Sequence, residues 1–152
     1  MKKLRKSLLS IFAFCLLIPC MFLFSACGEK DPEPYDVNGL TLTIKADVAV
    51  VYDKNATSEQ KQEVEEGLPL YKADAESLLE DNYSIKFNKD GTAVISSTTY
   101  YYTQSKDLKT IKIYTTAEHT NLWNELTYVD GDYHLAVETI DGVVTIYYIF
   151  SK

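Results

Sequence analysis

From Gly39 to Ile44 the chain alternates, with Leu40, Leu42 and Ile44 on one side and Thr41 and Thr43 on the other. Period-two alternation predicts a half-buried strand. The run Asp47–Tyr52 is rich in valine and predicts a second strand, or the first one continued past a bend at Lys45-Ala46. The pattern then changes. Thr57 with Gln60 three residues on forms a capping box. The helix it opens runs through a polar stretch whose one large apolar residue is Val64. Gly67 predicts its end, because glycine commonly terminates helices. Past Leu68-Pro69 a second helix is expected up to Asp81. There Tyr71, Ala75, Leu78 and Leu79 recur at helical spacing and form an apolar stripe that needs a sheet to pack on.

From Tyr83 onward the alternation is again that of strands. Lys89-Asp90-Gly91 predicts a three-residue hairpin loop. That pairs Phe87 with Ala93, Ile85 with Ile95 and Tyr83 with Ser97. The second strand of this hairpin is open to continuing through Thr98–Thr103. Further strands are expected at Leu108–Thr115 and Glu125–Val129, with an irregular stretch at Ala117–Asn124. The last hairpin turns at Asp141-Gly142, a dipeptide suited to a type I′ turn. Pairing Ile140 with Val143 brings Val137 to Ile146, Leu135 to Tyr148 and Tyr133 to Phe150. Tyr133, Leu135, Val137, Val144, Ile146, Tyr148 and Phe150 then form a core face. The opposite face carries His134, Ala136, Glu138, Ile140, Val143, Thr145, Tyr147 and Ile149.

The fold expected is mainly β. It is an antiparallel meander of about seven or eight strands, a barrel or strongly curved sheet, with one or two helices from an insert at 57–81 packed against it. Closing the sheet would remove its edges.

The N-terminus reads differently. Lys2, Lys3, Arg5 and Lys6 precede an apolar run, Leu8–Leu23, broken only by Ser10 and Pro19. Phe24-Ser25-Ala26 then leads to Cys27. A basic start, an apolar centre and small residues at the end describe an export signal. The run is long for a signal and slightly short for a membrane span, so an uncleaved anchor is the alternative. Gly28–Pro34 is polar and holds two prolines, as a tether would.

The chain carries 15 Lys+Arg and 22 Asp+Glu, a net charge of −7. Every acid lies beyond position 26 while four bases lie before it, so the domain is more acidic than the whole chain. Such a domain is repelled by nucleic acid and by anionic lipid. Cys15 and Cys20 lie in the apolar run, which leaves Cys27 as the last cysteine and the domain without a disulfide or thiolate metal site.

"FSAC" resembles the lipobox of bacterial lipoproteins. The resemblance implies that residues 1–26 are removed and that the Cys27 thiol carries a diacylglyceryl group. Two or more acyl chains hold a protein on a membrane stably, at ~0.8 kcal/mol per buried methylene. Residues 27–36 would form the lipidated cysteine and tether, and 37–152 one domain, anchored outside the cell membrane and monomeric. "YSIKFNKDGTAVIS", "YVDGDYHLAV" and "VVTIYYIFSK" together resemble the small lipocalin-like lipoproteins of bacteria. This implies a β-barrel and a ligand-binding or interaction role, with no shared catalytic set.

Candidate chemistry is sparse. No G-x-S-x-G, P-loop or G-x-G-x-x-G motif occurs, and His119 and His134 stand in no metal spacing. No enzyme activity, cofactor or metal is expected. Twelve tyrosines are the compositional outlier. Most are accounted for by strand propensity and half-buried surface. Tyr100 and Tyr102 share a strand face and, with Tyr114 and Trp123, form the candidate ligand site for a small apolar or glycan ligand. The other reading is an interaction module contacting a cell-envelope protein. An internal cavity lined by aromatics would favour the first, and a filled core with an exposed apolar patch the second.

Overall fold

A computed structural model describes residues 32–152. The expected signal segment, Cys27 and the first part of the tether lie outside the described residues. Eight antiparallel strands follow one another around a closed barrel. They are β1 (Thr41–Tyr52), β2 (Ser84–Phe87), β3 (Thr92–Ile95), β4 (Thr98–Gln104), β5 (Thr110–Tyr114), β6 (Leu122–Val129), β7 (Asp132–Ile140) and β8 (Val144–Ser151). Each pairs with its neighbour in sequence, and β8 closes on β1. One helix, α1 (Ser58–Glu80), connects β1 to β2 and packs on the barrel.

The interior is packed. Leu42, Ile44, Ile85, Phe87, Ala93, Ile95, Ile111, Ile113, Leu126, Tyr133, Leu135 and Phe150 are all buried in one cluster. Each strand supplies every second residue, which is the inward set of an alternating strand. An eight-stranded barrel is just wide enough for side chains to fill. Tyr83, Tyr100, Tyr102, Tyr128 and Tyr148 complete the filling from the ends.

The strands differ in length, and this shapes the molecule. β2 pairs with β1 only at Thr41–Thr43, and β6 pairs with β7 only up to Leu135. Beyond those points Val48–Tyr52, Val144–Tyr148 and Ala136–Ile140 continue as a three-stranded flap. Its inward face carries Val48, Val50, Tyr52, Ile140, Val144 and Ile146, and α1 lies on it.

Four expectations are corrected. The two predicted helices are one, with Gly67 and Pro69 inside it. Val64, Leu68, Tyr71, Ala75 and Leu78 recur at spacings of four and three, a single stripe that runs straight across the Gly-Pro interruption. A proline in a helix interior costs about 3 kcal/mol. Burying a Val or Leu side chain contributes about 1.5–3 kcal/mol, so the stripe outweighs the break.

Second, the hairpin strand after Thr92 does not run on through Thr98. Ser96 and Ser97 both take positive φ, 46° and 67°, and reverse the chain so that Ile95 pairs with Thr98. Tyr83 therefore has no partner at Ser97, and its carbonyl accepts from the Ile44 amide.

Third, the last hairpin keeps Tyr133↔Phe150 and Leu135↔Tyr148 but slips beyond them. Asp141 and Gly142 have positive φ and Val143 N–H donates to Ile140 O, as the turn requires. The ladder nonetheless pairs Ile140 with Val144 and Glu138 with Ile146. A bulge at Val137 absorbs the extra residue. Val137 is thereby exposed, and Glu138 and Ile140 turn to the inward face.

Fourth, the stretch around Trp123 is regular, since β6 begins at Leu122.

Candidate functional site

The four predicted ligand residues separate into three places. Tyr100 stands opposite buried Ala93 at the rim of the barrel and stacks on Trp123, with ring centroids 4.7 Å apart and planes at 29°. A bulge between the Ile113 and Tyr114 partners in the β5–β6 ladder places Trp123 off register, and it stays 39% exposed. Leu122 beside it is 50% exposed. Tyr102 is on the same strand face but serves the core. Its ring meets Phe87 edge-on at 4.8 Å, and its hydroxyl donates to Asn88 O at 3.2 Å. Burial raises its pKa, with Asp36 and Asp90 adding to the effect. Tyr114 follows inward-facing Ile113 and so points outward. It meets the His119 ring at 4.9 Å, away from the other three.

The opposite end of the barrel holds a polar group that the sequence reading missed. Tyr133 Oη accepts from Gln104 Nε2 at 2.7 Å and donates to Leu108 O and Tyr35 O, at 2.5 and 3.0 Å. Gln104 Oε1 accepts from the Val37 amide. Tyr35 meets both Tyr128 and Tyr133 edge-on, and Tyr128 Oη donates to Pro32 O and Glu33 O. Residues 32–36, expected as part of a tether, are thus bound across this end. Burial pushes the Tyr133 phenol up to about 12, with neighbouring Tyr35 adding and the Gln104 bond opposing. The signal was present in Tyr100, Tyr102 and Gln104, which share one parity on β4. Gln104, Tyr133 and Tyr128 pair with backbone groups and one another here, while the Tyr35 hydroxyl is buried without a hydrogen-bond partner among the described residues.

A mainly apolar hollow of the outer wall lies across β1, β8, β7 and β6. Ala49, Val51, Tyr147, His134, Thr127 and Val129 line a hollow of about 310 Å³ there, with Asp130 at its edge. Except for Val50, which belongs to the inward set, the lining residues alternate with that set and so face away from the core. Val51 is 55% exposed. His134 leans on the Tyr147 ring at 6.0 Å. Burial lowers its pKa, against the pull of Asp132 and Asp130, so it is neutral at physiological pH. A second hollow, lined by Thr103, Ser105, Thr110, Lys112 and Glu125 among others, is polar, and a Lys112–Glu125 ion pair at 3.6 Å is part of it.

The flap carries two phenol–carboxylate contacts. Tyr71 Oη of α1 donates to Glu138, and Tyr148 Oη of β8 donates to Asp74 of α1. Both phenols are raised in pKa. The Glu138 hydrogen bond leads for Tyr71, and burial followed by Asp74 leads for Tyr148. They staple helix to sheet. Among the described residues no three His, Cys, Asp or Glu side chains converge as metal ligands. No protein-family model, no curated protein and no solved structure matches this chain.

Proposed function

We propose that this chain is a lipid-anchored, extracytoplasmic and non-catalytic module that engages a cell-envelope protein through the outer wall of its barrel. The observation that carries the reading is a contrast. The barrel interior is packed with side chains, while the outer wall keeps a mainly apolar hollow lined by Val51, Tyr147, Val129 and His134, with Asp130 its one carboxylate, in a strongly acidic chain. Apolar surface of this kind is what protein partners bury. The anchor rests on the basic start, the apolar run and "FSAC" before Cys27.

Photoreactive residues at Val51 and Val129 test the partner in cells, with Lys86 on neighbouring β2, outside the hollow, as control. A discrete adduct from the first two and none from Lys86 is expected. Equal adducts from all three sites, or none from any, would remove the reading. The anchor is tested separately by Cys27→Ser, which should release the protein from membranes and abolish the lipid mass on its N-terminal peptide.

One observation favours a second reading, in which a glycan or small apolar ligand sits at the rim. The Tyr100–Trp123 stack leaves part of the indole in solvent, as sugar platforms do. Trp123 is the sole tryptophan, so its fluorescence reports directly on this spot. A saturable change on glycan titration, lost in Tyr100→Ala, supports that reading. A flat titration ends it.

A further inference from the structure

We infer that α1 is a releasable cover, leaving the flap while the eight-stranded barrel stays closed. Four observations converge on it. First, the flap belongs to the barrel only through the continuation of three strands. β2 ends its pairing at Thr43 and β6 at Leu135, and beyond them the β1–β8 pairs from Val48 to Tyr52 and the β7–β8 pairs from Ala136 to Ile140 are made between strands alone, with no ladder bond from α1. Removing the helix leaves the barrel's hydrogen bonds intact.

Second, α1 is held by little. Val64 and Ala75 are its only buried residues; Val64 with half-buried Leu68 and Tyr71 packs on the flap, and Ala75 with half-buried Leu78 packs on the end of the barrel cluster. Its other attachments are side-chain contacts at the surface: Tyr71 to Glu138, Asp74 to Tyr148, Lys72 to Asp47 at 2.9 Å and Gln60 to Asp141 at 3.1 Å. Lys61 lies over the Tyr52 ring at 5.7 Å.

Third, α1 is weak as a helix. Gly67 costs backbone entropy, and Pro69 lacks the amide that would bond Glu65 O. Glu59, Glu63, Glu65, Glu66, Asp74, Glu76 and Glu80 outnumber Lys61 and Lys72, so the helix repels itself. Its last turn has no basic residue to meet the helix dipole.

Fourth, the surface beneath is continuous and apolar. Val48, Val50, Tyr52, Ile140, Val144 and Ile146 would be uncovered together. Opening therefore changes the character of one end of the molecule in a single step, and elements that open this way come from the low-stability end of a fold.

Native-state hydrogen exchange on the full-length protein tests this. Amides of α1 from Val64 to Glu80 should exchange about 100-fold faster than those of Ile85, Phe87, Ile111, Ile113 and Leu126. Tyr71→Phe with Tyr148→Phe should speed α1 exchange about tenfold further and leave the barrel amides unchanged, as loss of two charge-assisted bonds at a local opening predicts. Two results would overturn the inference. One is a common exchange rate for helix and barrel. The other is a double variant that speeds both equally, since either means that helix and barrel open together. Adding urea distinguishes a merely frayed helix end. A releasable cover gives a shared urea slope across Val64–Glu80, and slopes that vanish toward the ends of α1 count against it.

Discussion

The barrel core and the helix-covered flap are built from the same residue types and differ in enclosure. In the barrel, Leu42, Ile85, Phe87, Ile111, Ile113 and Leu126 face one another across a ring in which every strand has two partners. In the flap, Val64, Val144 and Ile146 are buried, and the residues around them stay half open. A closed sheet brings inward residues from all directions, so packing reinforces itself. A helix on three strands buries one stripe, and its margins remain in water. Equal apolar content thus yields a rigid part and a weakly held part. Closure, more than hydrophobicity, separates them.

That comparison can be broken or sharpened by substitution. The largest effect is expected for Phe87→Ala in the barrel. A buried aromatic cut to alanine costs about 3–5 kcal/mol, and urea unfolding should show the whole protein shifted by that amount. A shift confined to part of the molecule would mean that the ring is not one cooperative unit.

Val64→Ala comes next and probes the flap. It removes two methyl groups from a buried site, worth about 1–2 kcal/mol. Helical circular dichroism should weaken at lower urea, while Trp123 fluorescence at the barrel rim holds its midpoint. Coincident shifts in both signals would erase the distinction between the two regions.

Tyr133→Phe costs less. It keeps the ring but removes the hydroxyl, while Gln104 Nε2 still reaches the Tyr35 and Leu108 carbonyls at 2.9 and 3.1 Å, so the cost is about 1 kcal/mol. It also carries a pH signature. Burial raises the folded phenol from 10.0 to about 12. The neutral form is the favoured one, so this stability is full below pH 10 and is lost as pH climbs through 12. Phenylalanine should flatten that part of the alkaline limb in thermal melts taken from pH 9 to 12.

Thr57→Ala is expected to be no larger. The capping box joins Thr57 Oγ1 to the Gln60 amide and Gln60 Oε1 to the Thr57 amide. Losing half of it costs about 1 kcal/mol, visible as a lower helical signal at the start of the melt.

How far the sequence could be read depended on whether the signal was local. The Asn88–Thr92 loop and its pairs Ile85↔Ile95 and Phe87↔Ala93 follow from Asp90-Gly91 and alternation, and they stand. So does Tyr133↔Phe150. The turn at Ser96-Ser97 was hidden because serine, with a Cβ, rarely takes positive φ twice in succession. Gly67 and Pro69 read as a helix stop, although the stripe from Val64 to Leu78 crosses them unbroken. Of the candidate ligand residues, Tyr100 and Trp123 come together, Tyr102 goes to the core, and Tyr114 goes outside. Parity along a strand says which residues share a face. It does not say which of them lies at a rim, where the ring is left open.

By itself the sequence determined the alternation that makes most of the strands, the turns with glycine in the left-handed region and the capping box that starts α1. These depend on steric limits and hydrogen bonds within a few residues. Tertiary structure alone decided the rest. The closure of β8 on β1, the bulge at Val137 that aims Glu138 at Tyr71, and the continuity of α1 through a proline each depend on a partner distant in sequence. Their free energy comes from packing that exists only after the ring has closed, and no local pattern of residues encodes it.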